Sequence, residues 1–167
     1  MQVRRSIVAY GITMALGLTG AGSFFRACAP PPPPASAPIS VAAECTKLVN
    51  NARAAAGIAP VTLDSRLNTA ASLHSTDQAQ RQKMTHTGAN GSNAGQRIIS
   101  QSYWWSTWGE NVAAGQSDCA TVVKAWMGSS GHRANILNRS MVHIGMGAVK
   151  GANGVIYWTM DLAAPAR

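Results

Sequence analysis

A chain of 167 residues has room for one domain and some extra sequence, and excludes two domains of ordinary size. Fourteen basic residues against six acidic ones give a formal charge of +8, and a basic surface meets anionic lipid, acidic polymer or nucleic acid. Eleven of the fourteen are scattered from Lys47 to Arg167 without a run or interleaved aromatics, which argues against a nucleic-acid partner and fits a solvated surface.

The chain opens with Arg4 and Arg5, an uncharged run from Ser6 to Phe25, then Ala27, Cys28 and five consecutive prolines. That order is the layout of an export signal over residues 1–28. A membrane-spanning anchor is the competing reading, because twenty uncharged residues reach across a bilayer. Thr13, Thr19, Ser23 and four glycines interrupt the run and favour a signal that is removed. Loss of Arg4, Arg5 and Arg26 leaves 14 − 3 = 11 basic residues against six acidic, a net charge of +5. Cys28 after Ala27 has the placing of an acylated lipoprotein cysteine, although Phe25 and Arg26 depart from that pattern. The alternative is cleavage nearby, which discards Cys28 or leaves a free thiol. Either way the expected location is outside the cytoplasm, secreted or held at the envelope. Residues 29–41 are proline-rich, cannot bury a core, and read as an extended stalk.

A domain is expected over residues 42–163, with a short tail at 164–167. Cys45, Leu48, Val49, Ala52, Ala55 and Ala56 fall at helical spacing from Val41 to Ala56, and Gly57 is placed to stop the helix. Asp64 caps a second helix that runs to about Lys83, with Leu67, Ala70, Ala71 and His74 on its apolar face. His74 therefore reads as a histidine packed at the edge of the core. Residues 87–95 are turn formers, and a short helix follows at Gly95–Ser100. The cluster Tyr103-Trp104-Trp105-Ser106-Thr107-Trp108 belongs either to the core or to a ligand-facing surface. Asp118 or Ser117 caps a helix that shows Cys119, Val122, Val123, Trp126 and Met127 on one side. His143–Lys150 and Val155–Leu162 form a hairpin about Gly151-Ala152-Asn153-Gly154, with His143, Gly145, Gly147 and Val149 on one face of its first strand. Of the three cysteines, Cys45 and Cys119 lie inside the domain, and an oxidising compartment favours a bridge between them.

Four strings stand in order along this domain: Met84-Thr85-His86-Thr87-Gly88, Gly109-Glu110-Asn111-Val112-Ala113, Trp126 through Leu137 with Gly131-His132-Arg133 inside it, and His143-Ile144-Gly145-Met146-Gly147. Together they resemble the bacterial branch of the CAP superfamily of cysteine-rich secretory and plant pathogenesis-related proteins. The resemblance implies an α+β fold, a single α-β-α sandwich in which a small, mostly antiparallel sheet lies between helices. It also implies a cleft with two histidines and two glutamates, which in some members holds a divalent metal. His86, Glu110 and His143 match three of the four positions. The second glutamate is replaced by Ser129, and His132 stands near it.

The cleft expected from the resemblance thus gathers His86, Glu110, His132 and His143, with His86, Glu110 and His143 as the metal-ligand set. Two imidazoles and a carboxylate suit zinc with an open position, although no cofactor is required by the sequence. The separations of 24 and 33 residues carry no metal signature by themselves. Three readings follow. The cleft binds a small ligand, lipid or ion, the favoured one, since some members of the superfamily bind sterols or other lipids; a cell-envelope polymer is a further candidate partner. It serves a protease-like or envelope-directed hydrolase, with Glu110 as base and Ser129 or Ser130 as nucleophile beside His132. Or its polar groups only satisfy loop backbone. A monomer is expected.

Overall fold

The computed structural model describes residues 40–167. The export signal, Cys28 and nearly all of the stalk lie outside the described residues. Ser40 caps helix α1, Val41–Ala55, by accepting from the Ala43 amide at 3.2 Å. Gly57 follows with φ +66°, a left-handed conformation that glycine adopts without steric cost. Strand β1 is Thr62–Leu63, and Asp64 caps α2, Ser65–Arg81, through the Arg66 amide. Then come α3, Ala94–Ser100; β2, Trp105–Ala114; α4, Cys119–Gly128; α5, Ser130–Ile136; β3, His143–Lys150; and β4, Ile156–Pro165.

The four strands form one sheet in the order β1-β3-β4-β2. Only β1 with β3 is parallel; β3 with β4 and β4 with β2 are antiparallel. One face carries the apolar cluster of Cys45 and Val49 from α1, Val122 and Trp126 from α4, Ile136 from α5, and Ile144, Met146, Met160 and Leu162 from the sheet. The other carries a smaller cluster of Leu67 and Ala70 from α2, Ile98 from α3, Tyr103 and Ala163, with Trp105 and Trp108 against it. This is the expected α-β-α sandwich. Its two cores differ in size because α2 lies so close to the sheet that large side chains have no room. A Cβ on Gly145 would sit 2.1 Å from the Leu67 carbonyl carbon, and one on Gly147 would sit 2.4 Å from the Ala71 oxygen.

Two long-range ties fix the helices. Cys45 and Cys119 are disulfide-bonded, joining α1 to α4 across 74 residues with their α-carbons 5.0 Å apart. Arg53, fully buried, spends its guanidinium on carbonyl oxygens, those of Ala59, Ile136, Asn138 and Met141, at 2.7–3.2 Å. A guanidinium has five donors and no acceptor, so it can hold several loop carbonyls at once.

Three local features differ from the sequence expectation. β2 arises where the aromatic cluster ends, because Trp105 to Ala114 finds the whole length of β4 as a partner. Ser129, named only as the residue in place of the second glutamate and as a candidate nucleophile, is the N-cap residue of a helix, α5, that was not expected. The expected tail at 164–167 is strand as far as Pro165, since Ala164 and Pro165 pair with Thr107 and Trp105.

Candidate functional site

The site is built around Glu110. It lies in β2 directly opposite Asp161 of β4, and its side chain, 2% exposed, projects to the α2–α3 face of the sheet. Nothing in a sheet neutralises a buried carboxylate, so charge must arrive from elsewhere. It comes from two segments. Asn93 and Gln96 form a capping box that starts α3, and one turn later Arg97 donates to Glu110 Oε2. The same guanidinium donates through Nη1 to the carbonyls of Ser92 at 2.8 Å and His86 at 3.1 Å. His86 then closes the ring of contacts, its Nδ1 lying 2.7 Å from Glu110 Oε1.

The loop that carries His86 is shaped locally. Gln82 ends α2 in the left-handed conformation at φ +50°, and the Thr85 amide donates to Gln78 Oε1 at 3.1 Å. Farther on, the Gly88 amide donates to the Ser92 carbonyl at 2.9 Å. His86 remains 60% exposed at its side chain while Glu110 is buried. The Glu110 hydrogen bond pulls the His86 proton affinity above the ordinary histidine value, against a weaker opposing effect of burial. His86 Nδ1–H thus donates inward. Among the described residues nothing bonds its Nε2.

His132, half-buried on α5, stands within electrostatic reach of His86. Burial first, and then the His86 charge, push its proton affinity below the ordinary value. Two asparagines tie α5 to β2. Asn111 donates to the His132 carbonyl at 3.0 Å, and Asn135 donates to the Glu110 carbonyl at 3.1 Å and to Asn111 Oδ1 at 2.8 Å. The open space above these groups is a cleft of about 340 Å³ lined by His86, Thr87, Asn93, Trp108, Glu110 and Asn135. Trp108 rests against α3 where only a glycine fits, since a Cβ on Gly95 would meet its Nε1 at 2.6 Å.

His143 is placed elsewhere. It pairs with Ala163, whereas Glu110 pairs with Asp161, so the two are offset by two residues and separated by the width of β4. Two strand spacings are roughly 10 Å. The His143 ring instead meets Tyr103, with Nδ1 2.8 Å from the phenol oxygen and the rings edge to face at 5.7 Å. Burial, with Asp64 nearby, pushes the Tyr103 hydroxyl up to about 12, so it keeps its proton. The four residues expected in one cleft therefore divide: His86 and Glu110 are bonded, His132 lies within electrostatic reach of His86, and His143 belongs to a separate cluster with Tyr103, Asp64 and Arg66.

Three polar groups of the site carry little signal in the sequence. Arg97 supplies the cation, yet nothing in its neighbours marks it. His74 is fully buried, as its helical face suggests, but it also borders the site, with Nε2 3.9 Å from Glu110 Oε2. Its Nε2 lies 2.8 Å from the Thr85 carbonyl, which fixes the proton on that nitrogen, and burial holds its proton affinity below the ordinary value. Asp161 is fully buried, with no hydrogen-bond donor to either oxygen. Burial and the facing Glu110 raise its proton affinity well above the carboxylate range, which favours the neutral acid. A trace existed in the sequence: one of only six acidic residues stands inside the apolar run Trp158-Thr159-Met160-Asp161-Leu162.

The donor set does not fit a divalent metal. Both Glu110 oxygens are engaged, by His86 and by Arg97, and the second imidazole of the expected ligand set is bonded to Tyr103. Among the described residues no three His, Cys, Asp or Glu side chains form a group that could hold a metal ion. Ser129 and Ser130 mark the junction of α4 and α5, and both Glu110 oxygens are engaged, by His86 and by Arg97.

Comparison with known proteins agrees with this architecture. An uncharacterised Bacillus subtilis protein, YkwD, is 36% identical over 129 residues, covering 75% of this chain and 49% of its own length. The chain thus spans about half of that relative. Among solved structures, an extracellular protein of Bacillus anthracis containing an SCP domain matches with a TM-score of 0.68 and 24% identity, over 74% of this chain and 40% of that one. An outer surface protein of Borrelia burgdorferi matches with a TM-score of 0.65 and 22% identity, over 74% of this chain and 94% of its own. These two likenesses concern the fold. No helix among the described residues is long and apolar enough to cross a membrane. The profile of the Cysteine-rich secretory protein family, CAP, matches residues 46–162, well over half of the chain, and the chain belongs to that family.

Proposed function

We propose that this is an extracytoplasmic binding domain whose His86 cleft takes a small polar ligand, one that presents hydroxyl or carboxylate groups on a ring, as cell-envelope saccharides do. The observation that carries this reading is the state of His86. It is anchored by a buried carboxylate, its proton affinity is raised, and it stands 60% exposed at the mouth of a cleft. A protonated imidazole in that position is a charge-assisted donor for an acceptor on the ligand. Asn93, Thr87 and Asn135 add neutral donors and acceptors, and the Trp108 indole offers an apolar wall. Delivery to the envelope follows from the export signal at residues 1–28, with Cys28 as the point of anchoring if it is acylated.

Soluble saccharide fragments released from bacterial cell wall should move the His86 ring and Trp108 indole signals in an NMR titration. His86→Ala should weaken binding by about tenfold, the effect of one charge-assisted hydrogen bond. His143→Ala should leave it unchanged. Shifts confined to another face, or full affinity in His86→Ala, would overturn the reading.

A further inference from the structure

We propose that Arg97 is the resident cation at Glu110, occupying there the place a divalent metal would need and so making this carboxylate insensitive to such ions. Three contacts carry the inference. Arg97 donates directly to Glu110 Oε2, and it is bound on its other side to the carbonyls of Ser92 and of His86 itself. His86 in turn holds Glu110 Oε1. The guanidinium therefore bridges the carboxylate and the backbone of the histidine that the carboxylate also binds. The side chains of Arg97 and Glu110 are 11% and 2% exposed.

Charge counting gives the consequence. One carboxylate and one guanidinium cancel, leaving no net negative charge to attract a cation. A metal ion at Glu110 would lie beside a fixed positive charge in a poorly solvated place, where like charges repel strongly. Displacing Arg97 is no remedy, because a desolvated guanidinium and two loop carbonyls would lose their partners. A smaller neutral side chain at position 97 changes this balance. It frees one Glu110 oxygen, removes the repulsion, and leaves an imidazole and a carboxylate together, a pair suited to zinc.

The claim concerns the charge of the cleft and stands independently of which ligand the cleft takes, so a metal titration tests it apart from the saccharide reading. Zinc chloride is titrated calorimetrically at pH 7.5 into the full chain, into Arg97→Ala, and into the double variant Arg97→Ala with Glu110→Gln. The wild type should show no saturable binding up to ~1 mM, Arg97→Ala should bind at least about tenfold tighter than that limit, and the double variant should lose the gain. Wild-type binding below that limit which Glu110→Gln abolishes would overturn the proposal, as would a folded Arg97→Ala that remains silent. Because Arg97→Ala also removes loop contacts, Arg97→Met, which keeps most of the apolar stem, is measured beside it with circular dichroism to confirm folding. The thermal melt of the wild type gives a second readout: zinc should not move it, and a zinc-dependent rise that Glu110→Gln removes contradicts the assignment.

Discussion

Asp161 shows how burial alone sets the chemistry of a residue. Its carboxyl faces that of Glu110 across β2 and β4, and neither of its oxygens receives a hydrogen bond. Burial, and then the facing Glu110, raise the proton affinity of Asp161 well above the carboxylate range, while Glu110 has Arg97 and His86 as partners. The folded-state proton affinity of Asp161 is raised, so its contribution to stability is full below the unfolded value of about 3.9 and declines as pH rises toward the folded value. Asparagine has a neutral side chain in both states and can donate to Glu110. Asp161→Asn is therefore expected to melt at least ~4 °C higher than the wild type at pH 7.5, about 1 kcal/mol for a domain of this size. The gap should narrow at pH 4.5. A variant that melts lower at pH 7.5 would mean that Asp161 is ionised and paired.

Among the elements, α2 does most to place the site, because its axis is drawn onto the sheet at two glycines. Gly145 and Gly147 share the face of β3 that meets Leu67 and Ala71 backbone, and neighbouring Thr159 accepts from Ser75 at 2.9 Å and from Gln78 at 3.0 Å. Gln78 also holds the Thr85 amide, so the seat of α2 extends to the loop that presents His86. Adding a methyl at Gly147 forces α2 away from the sheet, since the nearest atoms are backbone and cannot rotate aside. Gly147→Ala should cost about 3 kcal/mol, the upper range for overpacking, as measured by urea unfolding. It should also weaken the His86 to Glu110 contact. An unchanged midpoint would show that the helix has slack in this place. Gly154→Ala, at φ +79° in an open turn, is the control for a purely local backbone effect.

Across the whole molecule, what the sequence makes legible follows physical rules of different reach. Helices α1, α2 and α4 were readable because periodicity and caps are local: Asp64 and Asp118 cap them as expected, and Cys45 and Cys119 meet through α1 and α4. The hairpin of β3 and β4 was readable from alternation and its turn. β2 was hidden because Trp105 to Ala114 does not alternate cleanly, and its strand character comes from pairing with β4. Helix α5 was hidden in a string rich in serine and glycine, where propensity argues for a turn. The site follows the same division. His86, Glu110 and His132 could be named from short strings carried by a family resemblance, whereas Arg97, His74 and Asp161 join them only through tertiary packing, which no local string encodes. His143 marks the reverse case, a matched residue whose register on β3 commits its ring to Tyr103.

One arrangement is central to the site, a buried Glu110 held between Arg97 and an exposed His86 whose proton affinity it raises. Its most direct test is an NMR pH titration of the histidine rings in the wild type and in Glu110→Gln. His86 should titrate above the ordinary value of about 6.5 in the wild type, His74 and His132 should titrate below it, and His86 should fall toward the ordinary value once Glu110 is neutral. A His86 that titrates at or below the ordinary value, or that is unmoved by Glu110→Gln, would contradict it.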